Sequence, residues 1–196
     1  MNSPIKIIGI SGTNGSGKDT LGHFLAGTYN YLFISVTDIL RGECRRRGIS
    51  VSRENLRMIS AEWRRESGLG VLVDKAVSEY EKVEAEYSGL AIASLRNPGE
   101  ADRVHELNGL VVWLDSNPKM RYERILSSPT FQSTRSDEFP ATFEDFLSQE
   151  KAEMTHSGDE ATLSMSLVKG KADIVIINDF DDINLFEDKV AGALNL

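Results

Sequence analysis

Apolar positions along this chain gather into five short runs separated by longer stretches with helical spacing. The runs are Ile5–Ile10, Leu32–Val36, Leu90–Ser94, Leu110–Leu114 and Asp173–Ile177. They are rich in Ile, Val and Leu without strict alternation, which predicts strands buried on both faces of a parallel sheet. Between them, Leu56, Ile59 and Trp63 share one helix face, and Leu72, Ala76, Tyr80 and Val83 share another. Asn117 before Pro118 predicts a capped helix with Pro at its first position. Thr142 and Asp145 have capping-box spacing, with Asp in place of Glu, ahead of Phe143, Phe146 and Leu147. Ile183, Phe186, Val190 and Leu194 close the chain on one helix face. Strands alternating with helices and no internal repeat place the chain in the α/β class.

Two stretches break the rhythm. Between the second and third runs, residues 38–88 carry two or three helices, about fifty residues where a minimal crossover needs far fewer. They read as a helical insert that holds part of a ligand. Residues 127–140, with Pro129, Pro140, several Ser and Thr, and Arg135, read as a mobile lid.

Gly12-Thr13-Asn14-Gly15-Ser16-Gly17-Lys18-Asp19-Thr20 lies between the first strand and a stretch with apolar Leu21, Phe24 and Leu25. A buried strand feeding a glycine-rich turn that opens a helix is the context a phosphate-binding loop needs. Glycines let backbone N–H groups turn inward, the helix N-terminus adds partial positive charge, and Lys18 adds a full one. Asp19 stands where Ser or Thr usually holds magnesium, and Thr20 comes one place late.

Length and composition narrow the function. At 196 residues the chain reads as one domain with a sizeable core. A formal charge of −8 argues against nucleic-acid binding, which normally shows a basic excess, while leaving a nucleotide substrate open. The apolar runs are too short to span a bilayer and no signal pattern precedes the first strand, so a cytoplasmic location is expected. Cys44 is the single cysteine; beside Arg45, Arg46 and Arg47 it reads as a spectator thiol. His23, His105 and His156 lack metal-ligand spacing.

In open parallel sheets ligands sit beyond the carboxyl ends of the strands. There the chain places Asp38 and Arg41 after strand two, Arg96 after strand three, and Asp115, Arg121, Arg124 and Arg135 after strand four. Arginines at several strand ends suit phosphoryl transfer, which depends on charge placement and on in-line clamping. Arg41 has rivals in Arg45, Arg46 and Arg47, and Arg96 has a salt bridge to Glu100 as its alternative.

These residues resemble a family, that of nucleoside monophosphate kinases with a phosphate-binding loop and their relatives. Ser35-Val36-Thr37-Asp38-Ile39-Leu40-Arg41 is similar to the S-T-G-D-L-L-R of adenylate kinases, and Gly15–Thr20 to their G-S-G-K-G-T. Glu123-Arg124-Ile125 and Arg135-Ser136-Asp137-Glu138 are similar to their Arg-Ile and lid segments. Ser94–Glu100 is closer to the D-V-R-F-P-N-E of phage-type deoxynucleoside monophosphate kinases, and Ala172–Asn178 to a stretch of dephospho-CoA kinases. Two departures stand out: Ser94 replaces a carboxylate that helps order magnesium waters, and Ser128 replaces a lid arginine.

The resemblance implies a three-layer fold with a five-stranded parallel sheet ordered 2-3-1-4-5, helices on both faces, ATP as co-substrate and magnesium. The expected activity is transfer of the γ-phosphoryl of ATP to a small nucleotide-like acceptor, first a (deoxy)nucleoside monophosphate and second dephospho-CoA. A nucleotide-binding regulator or slow ATPase is the alternative of another class. Gly12, Thr13, Asn14, Gly15, Ser16, Gly17, Lys18, Asp19, Thr20 and Asn178 are then expected at the donor nucleotide, with Asp19 also at the metal and Asn178 near the adenine. Arg41 and Arg96 are expected at the acceptor, and Arg124 and Arg135 at the migrating group. Asp38 is either a general base for an acceptor hydroxyl or a helix cap.

Overall fold

The computed structural model describes residues 6–128, 142–155 and 158–196. Among them, five strands form one parallel sheet: β1 (Ile7–Gly12), β2 (Tyr31–Ser35), β3 (Gly89–Ala93), β4 (Leu110–Asp115) and β5 (Ile174–Ile177). Their order is β2-β3-β1-β4-β5, as the resemblance implies. Four of the five sequence runs overlap their strands to within two residues, and the first does so from Ile7 on; Ile5 lies outside the described residues. Val36, read as strand, instead begins a helix. Ser35 is its N-cap, in extended backbone.

The helices are α1 (Lys18–Tyr29), α2 (Val36–Arg47), α3 (Arg53–Ser67), α4 (Val71–Glu81), α5 (Pro98–Glu106), α6 (Pro118–Ser127), α7 (Phe143–Met154), α8 (Met165–Gly170) and α9 (Ile183–Leu194). Several starts are written locally. Asn117 caps α6 with Pro118 at the first position, and Thr142 and Asp145 form the capping box of α7. Asn97 and Glu100 form a second capping box on α5, each such cap contributing about 1 kcal/mol.

The two-residue period of the strands sorts their side chains onto two faces. Leu90, Ile92 and Val111 point to one side, where they meet Leu40, Ile59, Leu72 and Val104 from α2, α3, α4 and α5. Ile8, Ile10, Ala91 and Val112 point to the other, against Leu21 and Leu25 of α1 and Phe186 and Val190 of α9. Each fully buried side chain of this kind contributes roughly 1.5–3 kcal/mol, so both faces must stay covered. Trp113 and Tyr80 are core residues, and Trp63 packs partly buried against the first cluster. No helix among the described residues is long and apolar enough to cross a membrane. With all strands parallel, the carboxyl ends of β1, β2, β3 and β4 face one rim, and the turns leaving them converge there.

Candidate functional site

The turn from β1 into α1 wraps around its own lysine. Gly12 (φ 143°) and Gly17 (φ 100°) lie in the left-handed region that favours glycine. A Cβ on Gly12 would run into the carbonyl of Leu114 on β4, and one on Gly17 would come within 2.6 Å of Asn178 Nδ2. Because Gly17 is the N-cap, no side chain occupies the first N–H groups of α1, and they remain available to an anion. Lys18 Nζ donates to the carbonyls of Gly12 at 2.9 Å and Thr13 at 2.6 Å. Burial, then the nearby charge of Arg96, lowers the Lys18 pKa to about 7.

The loop is braced from behind. Ser16 Oγ donates to Thr13 O at 2.8 Å, and Asn178 Nδ2 donates to Ser16 O at 2.8 Å. Thr13 Oγ1 donates to Asp115 Oδ1 at 3.1 Å. Arg121, buried, donates to Ser116 O at 2.7 Å and Asn14 O at 3.3 Å while its guanidinium grips Glu150 of α7. Arg124 donates to Asn178 O at 2.9 Å and Phe180 O at 2.6 Å, tying α6 to the segment after β5.

In front of the loop lies a cleft of about 970 Å³. Asn14, Gly15, Gly17, Lys18, Asp19 and Thr20 line one side. Asp38, Arg41, Arg45, Ser94 and Arg96 line the other, and Arg124 and Ser128 an edge. The structure therefore brings most of the sequence-selected residues to one cavity. Gly12, Thr13, Ser16 and Asn178 stand behind it as the loop's frame, and the Asn178 amide is engaged with Ser16 O. Arg135, Ser136, Asp137 and Glu138 lie outside the described residues, as does the lid segment beyond Ser128; His156 does too.

On the far side, Asp38 is not the cap of α2; that position belongs to Ser35. Its carboxylate, 68% exposed, accepts from Arg41 NH1 at 2.8 Å. Arg41 is separated from two of its rivals, since Glu43 and Glu62 take up Arg46 and Arg47 while Arg41 is buried at the cleft wall; Arg45 shares that wall. Cys44 is fully buried on the same helix, and burial raises its thiol pKa. Ser94 holds a φ of 70°, a conformation that a side-chain-bearing residue adopts only under constraint, at the point where β3 meets the cleft.

Arg96 does not pair with Glu100 through its side chain. Glu100 is fully buried and accepts from the backbone N–H of Arg96 at 2.7 Å and of Asn97 at 3.1 Å. Its other oxygen accepts from Arg64 NH2 of α3 at 2.7 Å. Asn97 Nδ2 donates to the carbonyls of Glu160 and Thr162, so the turn that carries Arg96 is fixed on three sides. The Arg96 guanidinium is left to reach Glu153 Oε2 at 2.9 Å and Asn14 Oδ1 at 3.1 Å.

Sequence reading missed Glu153, Arg53, Arg57, Arg64 and the bracing role of Arg121. One signal was present: Arg53, Arg57, Ser60 and Arg64 follow the i, i+4, i+7, i+11 spacing of a single helix face. Glu153 had none, because its partners Arg53, Arg57 and Arg96 lie 100, 96 and 57 residues away in the chain.

Mg²⁺ takes oxygen ligands, commonly one or two carboxylates together with substrate phosphates. Asp19 and Thr20 offer a carboxylate and a hydroxyl in the first turn of α1, beside Lys18 and on the same cleft. No cluster of three or more His, Cys, Asp or Glu that could hold a metal by itself is found among the described residues. The donor set fits an ion shared with a phosphate. The side-chain-free turn of glycines and the open N-terminus of α1 fit the phosphates themselves.

No family model matches the chain. It is 26% identical over 192 residues to a UPF0200 protein of Pyrobaculum aerophilum, covering 97% of each chain. It is 28% identical over 180 residues to a UPF0200 protein of Pyrococcus abyssi, covering 88% of this chain and 87% of the other. Among solved structures, shikimate kinase from Bacteroides thetaiotaomicron superposes with a TM-score of 0.57 at 18% identity, over 98% of this chain and 99% of that one. A gluconokinase from Sinorhizobium meliloti gives 0.51 at 15% identity, over 100% and 94%. The fold is that of the P-loop kinases. The narrower nucleoside monophosphate kinase group is not singled out by these likenesses.

Proposed function

We propose that the protein is a small-molecule kinase that moves the γ-phosphoryl of ATP, with magnesium, onto a small anionic, nucleotide-like acceptor. The observation that carries this reading is the single cleft onto which Lys18 and the glycine turn open from one side and Asp38, Arg41 and Arg96 from the other. A regulator or simple ATPase needs the first wall alone. The likeness in fold to shikimate kinase and gluconokinase supports a small-molecule acceptor.

In this reading the amides of the loop and of the α1 N-terminus receive the β- and γ-phosphates, and Lys18 turns from its loop carbonyls to the phosphate oxygens. Asp19 and Thr20 would hold magnesium, directly or through water, where it would offset the phosphate charge. Arg41 and Arg96 orient the acceptor, and Arg124 stays at the edge of the cleft. Fixed cations around the transferred group and an in-line arrangement do most of the catalytic work.

Asp38 bears on which of two acceptors is favoured. Exposed in the cleft rather than capping α2, it suits a general base: it takes the proton of an acceptor hydroxyl as the new O–P bond forms and the bond to the ADP oxygen breaks. A hydroxyl-bearing nucleotide such as dephospho-CoA is the first reading on that ground. The second, a (deoxy)nucleoside monophosphate, needs no base because its phosphate is already ionised, and it is supported by Arg41 and Arg96 on the acceptor wall.

The test is ADP release from ATP and magnesium against a panel of acceptors: nucleoside monophosphates, their deoxy forms, dephospho-CoA and small hydroxy acids. Acceptor-dependent release identifies the class, and release independent of acceptor would overturn the kinase reading. Lys18→Ala should lower turnover about 10²–10³-fold, the usual cost of one lost transition-state contact. A loss below about tenfold would remove Lys18 from phosphate transfer.

A further inference from the structure

The hydroxyl of Ser35 has no task within the fold. Ser35 is the N-cap of α2, where a serine oxygen ordinarily accepts from one of the first helical N–H groups, yet it makes no such bond. The residue is 7% exposed, and its Oγ is buried without a hydrogen-bond partner among the described residues. Buried polar atoms are nearly always paired, with protein or with ordered water. Ser35 also lines the cleft, so its orphan oxygen points to a contact that arrives with a ligand.

Packing fixes what lies opposite. Phe33 and Ser35 share one face of β2, two residues apart, and Phe33 packs into the cluster on the α1 side. Its ring lies across Gly22 of α1, where an added Cβ would come within 2.1 Å of Phe33 Cε2. His23 meets the same ring edge-on, with centroids 4.9 Å apart. Asp19, Gly22 and His23 follow i, i+3, i+4 spacing, so Asp19 lies on the stripe of α1 that faces β2. The helix runs antiparallel to the strand. Three residues back from Gly22 climb about 4.5 Å toward the rim, and two residues on from Phe33 climb about 7 Å. Asp19 and Ser35 thus border one corner of the cleft that both line. Asp38, the other carboxylate on that cleft among the described residues, accepts from Arg41.

We infer that Ser35 is a positioning residue for magnesium: its Oγ accepts a hydrogen from a water that the ion carries, while Asp19 supplies the carboxylate. This rests on the reading of Asp19 and Thr20 as the magnesium side of a kinase site. Mg²⁺ keeps several waters and takes one or two carboxylates together with substrate phosphates. A corner with one carboxylate therefore relies on neutral oxygens to hold those waters in place. Groups that orient a metal's ligands from behind strongly affect its affinity. A buried hydroxyl with no bond of its own is recruited to that task without breaking anything.

The probe is Mn²⁺ in place of Mg²⁺, with a non-hydrolysable ATP analogue whose binding is followed by calorimetry with and without the metal. The ratio of the two dissociation constants measures what the metal contributes. Asp19→Asn should cut that ratio at least about tenfold. If it does not, the magnesium reading of Asp19 fails, and this inference fails with it. Ser35→Ala should also cut the ratio about tenfold, while leaving binding of the metal-free analogue unchanged. An unchanged ratio, or equal weakening with and without metal, overturns the inference and leaves the reading of Asp19 standing. Free Ser35→Ala protein should melt no lower than the wild type, because the substitution removes an unpaired buried hydroxyl. A lower melting temperature would assign that hydroxyl to the fold and overturn the inference as well.

Discussion

The two walls of the cleft are built in opposite ways. The donor wall is one continuous stretch whose internal contacts join residues three to six apart, as in Ser16 to Thr13 and Lys18 to Gly12. On the proposed reading its attraction for phosphate would come from backbone N–H groups and one lysine, and its turn depends on glycines where a Cβ does not fit. The acceptor wall of the proposed reading is assembled from α2, α3, α7 and the turn after β3; Arg41 pairs locally with Asp38, but Arg53, Arg57 and Arg96 meet Glu153 across 100, 96 and 57 residues of chain. A backbone cradle has nowhere else to direct its donors. A guanidinium does, and each arginine here takes whichever carboxylate the packing brings nearest. On the proposed reading, donor chemistry would be fixed by the loop, while acceptor chemistry would be adjustable through the choice of ion pairs.

Three measurements break or sharpen this contrast. The largest effect is expected at Asp38 on the acceptor wall. Asp38→Asn should lower kcat about 10²–10⁴-fold if a hydroxyl is phosphorylated. An unchanged kcat, with only a lower melting temperature, would reassign Asp38 to its ion pair with Arg41 and favour a phosphate acceptor.

Next comes the scaffold of that wall. Arg64 and Glu100 form a pair with side chains 2% and 0% exposed, and Glu100 also grips the backbone of Arg96. Arg64→Met leaves that carboxylate buried without its partner, which should cost about 3–5 kcal/mol in urea denaturation. A loss under about 1 kcal/mol would show that the turn holds Arg96 without help from α3.

The smallest effect belongs to the donor wall. Lys18 titrates at about 7 in the free protein because it is buried and faces Arg96. Phosphate oxygens at Lys18 would raise that value, so the binding contribution is fully present below pH 7 and fades as pH rises above it toward the bound value. Calorimetry in buffers of different ionisation enthalpy should find close to one proton taken up per nucleotide at about pH 8, and little uptake at about pH 6. No uptake at the higher pH would mean that Lys18 does not meet the phosphates.

The sequence by itself determined the parts that depend on neighbours in the chain. The first strand, read as Ile5–Ile10 and found over Ile7–Gly12, the Asn117-Pro118 start of α6 and the Thr142–Asp145 capping box are all written within a few residues, and all were legible. The strand order followed from resemblance, and the glycine turn from its place between a strand and a helix. Only the tertiary structure decided what the charged residues do. It buried Arg41 at the cleft and gave Arg46 and Arg47 to Glu43 and Glu62. It turned Glu100 from a partner of the Arg96 side chain into an anchor of its backbone, and it brought Glu153 to three arginines from two distant segments. The reason is range: turns, caps and strands are set by bonds a few residues long, whereas the partner of a charge is set by distance and burial in space.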